Sequence, residues 1–380
     1  MKKKNMIFHF PATIDDSIIS GSTIRPIKMI NAFKSIGFNV YEIYGSSKNR
    51  AKLINMIKKQ IISGLDISFV YSESANFPTI LLEKDHIPRR PFIDFSFFYF
   101  IKKNKIPIGL FYRDIYWKFK TYKEEVKIYK RLITIPLFWA DLWLFQYLID
   151  ILFVPSKSFI KYLPKNIHFK NIIPLPPGGD IRENYVNNNY VDENMRLLYV
   201  GNIAPPEHDI SLIFEAAKVA YKIMPTVKFI ISCPKNMWEK YKSYYLSINS
   251  ILENIIILHK KPNELDEIFS NSDIFMLPIN DEYSSMASPT RFYTAVGYGI
   301  PFIIASNSPC EVGNVVEKEN MGWVIKHSAD CVIELLKLII KKKELINEKR
   351  NICKINRYKH SWEERAIYAS DILIRINHNV

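Results

Sequence analysis

Short runs of β-branched and aromatic residues recur along the chain. Each is followed by a polar turn and then by a stretch whose apolar residues stand three or four apart. The runs in the first half are MIFHF (6–10), NVYEIYG (39–45), ISFVYS (67–72), IGLFYRD (108–114), ILFVPS (151–156) and NIIPLPP (171–177). Their length and composition predict buried strands, and the periodic stretches between them predict helices. The clearest helix is in SGSTIRPIKMINAFKSIGFNV, where Ile27, Ile30, Phe33 and Ile36 keep helical spacing and Gly37 offers a left-handed stop. The alternation pauses at GGDIRENYVNNNYVDEN (178–194), which is polar, Asn-rich and aperiodic. It resumes with MRLLYVGN (195–202), VKFIISC (227–233), NIIILHK (254–260), DIFMLP (273–278), PFIIAS (301–306) and GWVIK (322–326).

Strands alternating with helices predict an α/β fold with mostly parallel sheets covered on both faces. The expected organisation is an N-terminal Rossmann-like domain over 1–180 and a linker over 181–194. A second Rossmann-like domain follows over 195–360, and a last helix over 361–380 packs back on the first domain. Ligands of such sheets bind outside the carboxyl ends of the strands, so two doubly wound sheets facing a central cleft place the expected site there. A basic helix is predicted over 335–358, and Ser361 with Glu364 has the spacing of a capping box for the helix after it.

Composition narrows the class. The 380 residues are 48% hydrophobic and 24% charged, with a formal net charge of +14. Such a charge favours anionic partners: a phosphorylated substrate, an anionic membrane surface or nucleic acid. The four cysteines (Cys233, Cys310, Cys331, Cys353) form no CxxC pair, which argues against a zinc cluster or disulfide framework and for a reducing cytoplasm. The apolar run after MKKKN is too short for a secretory leader. LITIPLFWADLWLFQYLIDILFV (132–154) is long enough to span a bilayer, but it carries Asp141, Gln146, Asp150 and Pro136. The reading is a helix of a folded domain followed by a strand. Residues 102–131 hold ten Lys/Arg against three Asp/Glu among many aromatics, a pattern suited to an anionic lipid interface.

Several stretches carry candidate chemistry. In LLYVGNIAPPEHDIS, a strand runs into Gly201, where backbone can approach a ligand, and then into a helix whose N-terminus offers N–H groups to an anion. In DEYSSMASPTRFYTAVGYGIPFI, Ser288 is expected as an N-cap and Pro289 as the first helical residue. Arg291 then falls in the first turn, where the helix dipole disfavours a cation unless an anion stands in front of it. Tyr283, Ser284 and Ser285 precede that turn as possible donors to phosphate or ribose. In GLFYRDIYWKF, Asp114 follows a strand end, where a general base or acceptor binder belongs. Glu73 lies after another strand, and the eight histidines have no metal-ligand spacing.

YVGNI…PP…DIS and SPTRFYTAVGYGIPFI, followed by HSWEERA, resemble the C-terminal domain of GT-B glycosyltransferases. The closest pattern is the group 1, or family 4, type of bacterial capsule and lipopolysaccharide synthesis. Pro289 and Arg291 stand where that family has a proline and a cation. Thr294 stands where it has a ribose-binding glutamate, and Asn202 and His208 lie near its usual basic residue. The resemblance implies transfer of a sugar from a nucleotide diphosphate sugar to a surface-polysaccharide or lipid-linked glycan acceptor. The implied donor site comprises Gly201, Asn202, His208, Tyr283, Ser284, Ser285, Pro289, Arg291 and Thr294, with Arg291 and Asp114 as catalytic groups. Gly21, Ser22, Arg25 and Glu73 would form an acceptor or phosphate loop. No cofactor or metal is implied, and nucleic acid is not expected as a partner. The implied location is cytoplasmic, peripheral at the inner face of the cell membrane. Two alternatives stay open: a sugar-nucleotide epimerase on the same fold, and a non-catalytic membrane-associated or nucleic-acid-binding protein.

Overall fold

The computed structural model describes residues 3–14, 21–183, 194–261, 264–280 and 285–378. The chain divides into two compact units. Unit 1 comprises Met1–Pro177 with Trp362–Val380, and unit 2 comprises Gly178–Ser361. Each is an α/β unit built on one six-stranded, wholly parallel sheet.

Unit 1 contains β1 (Asn5–His9), β2 (Asn39–Ile43), β3 (Phe69–Glu73), β4 (Ile108–Phe111), β5 (Ile151–Val154) and β6 (Ile172–Pro174). They lie in the order β2-β1-β3-β4-β5-β6. Its helices are α1 (Gly21–Ser35), α2 (Ser47–Ile62), α3 (Ile93–Lys103), α4 (Lys120–Glu125) and α5 (Ile128–Leu148). Unit 2 contains β7 (Arg196–Val200), β8 (Lys228–Ser232), β9 (Ile255–Leu258), β10 (Ile274–Ile279), β11 (Phe302–Ser306) and β12 (Gly322–Ile325), in the order β12-β11-β10-β7-β8-β9. Its helices are α6 (Ser211–Ile223), α7 (Lys235–Ile248), α8 (Leu265–Ser270), α9 (Thr290–Tyr298), α10 (Glu311–Lys318), α11 (Ala329–Lys341) and α12 (Glu344–Asn356). The chain then returns to unit 1 as α13 (Trp362–His378).

All twelve apolar runs form strands; the inner strands β1, β3, β4, β5, β8, β10 and β11 are mostly or wholly buried, and the edge strands β2, β6 and β12 are partly buried. The strand order reverses between β1 and β3 in unit 1 and between β7 and β10 in unit 2. Those are the points where a doubly wound sheet opens a crevice for a ligand. They bring the loops after β7 and β10 together in unit 2.

α13 completes the unit 1 core with Trp362, Ala366, Ala369 and Leu373, all buried beside Phe33, Tyr71 and Phe153. Gly109 of β4 makes this docking possible. A Cβ there would meet Phe153 at 2.7 Å and Leu373 at 3.0 Å. The 132–154 segment divides as expected into helix and strand. No helix among the described residues is long and apolar enough to cross a membrane.

Two local expectations are corrected. The predicted helix over 335–358 is two helices, α11 and α12. Lys342 leaves helical geometry at φ −128°, ψ 70°. Lys341, Lys342 and Lys343 favour a stop there, because they complement the negative end of α11. Ser288 is not the N-cap of α9. The helix starts one residue later, with Pro289 extended at the cap position and no side-chain cap bond.

Candidate active site

In unit 2 the site is built at the β7/β10 switch point. β7 ends in Tyr199-Val200-Gly201, and Gly201 takes φ +140°, a conformation L side chains rarely adopt. A side chain there would also crowd Arg291. A Cβ on it would lie 2.9 Å from Nη1 of Arg291 and 3.1 Å from its Cδ. Arg291, in the first turn of α9, therefore lies directly on the turn after β7. Its Nη1 donates to the Tyr199 hydroxyl at 2.7 Å, and its guanidinium stands 5.2 Å from the Tyr199 ring centroid. Nη2 is 3.5 Å from Nδ1 of His208.

The loop that carries His208 is held in place from beneath. Tyr199 donates its hydroxyl to the Asn202 carbonyl at 2.5 Å, and the Asn202 side chain accepts from the Ala204 N–H at 3.1 Å. Tyr245 donates to the Ile203 carbonyl at 2.5 Å. Asp209 Oδ1 accepts the Ser211 N–H at 2.8 Å as α6 begins. Burial, helped by the Arg291 charge, pulls His208 down to about 4, so it is neutral near pH 7. Burial likewise pushes the Tyr199 hydroxyl up and keeps it a neutral hydrogen-bonding group.

Two buried polar atoms at this point have no partner among the described residues: Nε of Arg291 and Oγ of Ser288. They flank the N-terminus of α9, where helix N–H groups and a guanidinium together form an anion-binding arrangement. Unmatched buried polar groups are uncommon and mark a place where a ligand can supply the missing partner. Thr294 sits one turn further on, with its hydroxyl donating to the Thr290 carbonyl at 3.1 Å. Ser285 is half-buried just before this turn. Tyr283 and Ser284 lie outside the described residues.

Unit 1 gathers other candidates at its own switch point. Glu73, at the end of β3, is fully buried. Its Oε1 accepts from Arg25 Nε at 3.1 Å and from the Tyr71 hydroxyl at 3.1 Å, and its Oε2 accepts from Arg113 Nη2 at 3.1 Å. Arg25 lies 3.5 Å over the Phe111 ring and also donates to the Leu175 carbonyl at 3.4 Å. Burial pulls the Arg113 guanidinium down, and the Glu73 carboxylate opposes that shift. Arg25 and Glu73 are thus partners of one another inside the unit. Asp114 is half-buried and accepts the Tyr116 N–H at 2.8 Å, so it shapes the turn leaving β4. Gly21 and Ser22 open α1.

Residues 194–341 match the family model described as Glycosyl transferases group 1. The C-terminal unit is a group 1 glycosyltransferase domain. This match covers less than half of the chain and supports a sugar-transferring enzyme. A search of curated proteins by sequence finds no match.

Solved structures resemble the chain along its whole length. Sucrose-phosphate synthase from Thermosynechococcus elongatus is similar at TM-score 0.62 and 11% identity, with 100% of both chains covered. Anabaena HepE, in a crystal structure with UDP and glucose, gives TM-score 0.59 and 10% identity over 98% of this chain and 99% of that one. WaaG, a glycosyltransferase involved in lipopolysaccharide biosynthesis, gives TM-score 0.56 and 12% identity over 97% and 99%. At such identities the likeness is one of fold, and that fold is GT-B.

Sequence reasoning named Gly201, His208 and Arg291, which the structure brings together, but passed over Tyr199 and Tyr245. A signal was present, since a tyrosine in a buried strand or helix needs a partner for its hydroxyl. Here those partners are the two loop carbonyls.

Proposed function

We propose that the enzyme transfers a sugar from a nucleotide diphosphate sugar to a surface-polysaccharide or lipid-linked glycan acceptor. One observation carries the donor reading: Arg291 lies on Gly201 at the N-terminus of α9, with its Nε unpaired beside the unpaired Ser288 hydroxyl. A diphosphate placed there meets a guanidinium and helix N–H groups, which stabilise negative charge as it develops on the leaving group. Neutral His208 supplies a ring N–H, and Tyr199 fixes the guanidinium. HepE holds UDP and glucose on the same fold, which supports a nucleotide-sugar donor.

In the transfer, the bond from the sugar anomeric carbon to the diphosphate oxygen breaks and the nucleoside diphosphate leaves. The acceptor hydroxyl oxygen bonds to that carbon and gives up its proton to a base. Asp114 is the unit 1 candidate for holding that hydroxyl. The Thr294 hydroxyl faces its own helix, so ribose recognition falls to Ser285 and the neighbouring Tyr283 and Ser284. No cofactor or metal is assigned a role. The group 1 family match and the basic, aromatic surface of unit 1 support the acceptor reading, and with it we propose a location at the inner face of the cell membrane.

Calorimetric titration with nucleoside diphosphates tests the donor site. One of them should bind the wild-type chain, and Arg291→Ala should weaken that binding by about 10–100-fold, the worth of one or two charge-assisted hydrogen bonds. The unfolding midpoint should move little, because Arg291 is only half-buried. Unchanged affinity, or a large loss of stability with normal binding, contradicts the assignment.

A further inference from the structure

Helix α5 is apolar on both sides. Its inner side buries Phe138, Leu142 and Phe145 in unit 1. Its outer side exposes Tyr129, Ile133, Pro136, Ala140, Trp143 and Tyr147, spaced four, three, four, three and four residues apart. That spacing makes one continuous stripe about 27 Å long at 1.5 Å per residue. Leu132 beside it is 72% exposed, and Trp143 within it is 55% exposed. From Leu132 to Leu148 the single charged residue is Asp141, on the buried side. An apolar face of this extent marks an interaction surface.

The surroundings of the stripe say what covers it. At its N-terminal end, residues 118–131 carry six basic residues against two acidic ones. At its C-terminal end Lys102 donates to the Tyr147 carbonyl. Where α4 meets α5, a groove of about 360 Å³ is lined by Lys123, Ile128, Arg131, Leu132, Ile135 and Pro136. Aliphatic walls with two cations suit a lipid chain beneath an anionic headgroup. Trp143 and Tyr147 stand with ring centroids 5.3 Å apart, and such residues favour the boundary between headgroups and acyl chains. α5 does not qualify as a span, so the fitting geometry is a helix lying in the surface of the bilayer.

We infer that the outer face of α5, with the α4–α5 groove, docks on an anionic lipid bilayer. A second copy of the chain fits poorly. Parallel pairing of two stripes apposes their basic ends, and antiparallel pairing sets each basic end beside the partner copy's Lys102. The inference deepens the lipid-linked acceptor reading and rests on it for its purpose, while its test is independent of turnover.

The experiment is co-sedimentation of the full chain with phosphatidylglycerol-containing vesicles and with pure phosphatidylcholine vesicles, at low and high salt. Wild type should bind the anionic vesicles at low salt and weaken as salt rises. Leu132→Glu/Trp143→Glu should lower partitioning roughly tenfold or more, and Lys123→Glu/Arg131→Glu should lower it as well. Both doubles alter exposed or rim positions, so both should keep the wild-type melting midpoint and donor turnover. No binding at low salt, or binding indifferent to Leu132→Glu/Trp143→Glu, overturns the inference. So does a wild-type dimer that the same double converts to a monomer. A wild-type chain that turns over donor but binds neither kind of vesicle sinks the docking surface alone; a wild-type chain that binds anionic vesicles without any donor turnover sinks the transferase reading alone.

Discussion

Arg291 occupies a position where the dipole of α9 opposes a cation, and the turn after β7 shows what holds it there. Gly201 leaves room for the guanidinium, Tyr199 accepts one of its hydrogen bonds, and Nε is buried with no partner among the described residues. The sequence pattern exposed both ends of this arrangement, because a glycine after a buried strand and a cation after Ser-Pro are local signals. Glu73 was harder to read. Its partners Arg25 and Arg113 lie 48 and 40 residues away, and no local pattern declares such a pairing. A second residue with a consequence is Asp141. Its Oδ2 accepts the Thr79 N–H at 2.7 Å and the Thr79 hydroxyl at 3.0 Å, but burial outweighs both bonds and raises the carboxyl to about 7. In the unfolded chain the same group titrates near 3.9. Between these values the folded chain holds more protons than the unfolded chain, so unit 1 gains stability as pH falls through 7 and loses it as pH rises. Asp141→Asn keeps the acceptor without the charge. It should stabilise unit 1 above neutral pH by on the order of a few kcal/mol and flatten that part of the pH dependence. Thermal unfolding across pH checks this, and parallel profiles for the two proteins would count against it.

Strands were the most legible elements, since a run of buried β-branched residues has few other places to go. The predicted runs overshoot where polar residues such as Arg113-Asp114 leave the ladder to form loops. The start of α9 was less legible: Ser288 looks like a cap, yet Pro289 takes the cap position and the serine hydroxyl stays unmatched. Least legible was the path of Gly178–Arg182, which belongs to unit 2 and lies against α9. Arg182 N–H donates to the Gly297 carbonyl at 3.1 Å. A Cβ on Gly297 would stand 2.1 Å from the Asp180 carbonyl oxygen, and one on Gly179 would stand 2.1 Å from that of Tyr293. Both clashes are with backbone, which gives little. Gly297→Ala, a change that helix propensity alone favours, should therefore destabilise unit 2 by about 1–3 kcal/mol or more. Urea unfolding gives the sign, and a stabilised variant would show that the segment is not packed there.

At the scale of the whole molecule, each unit is a doubly wound sheet with its own core, and the chain crosses back to finish unit 1 with α13. The family match lies in unit 2, which carries Arg291, Gly201 and His208. Unit 1 carries Asp114, the buried Arg25–Glu73–Arg113 group and the apolar face of α5. This division fits a transferase whose donor chemistry is fixed in one unit while acceptor handling is free to vary in the other. The most direct test of that account is release of nucleoside diphosphate from a panel of nucleotide sugars by the purified wild-type chain. Slow release from one donor, lost in Arg291→Ala and accelerated by a glycan acceptor, is the predicted result. Conversion of the donor to another sugar nucleotide without release, or no reaction and no nucleotide binding at all, would contradict it.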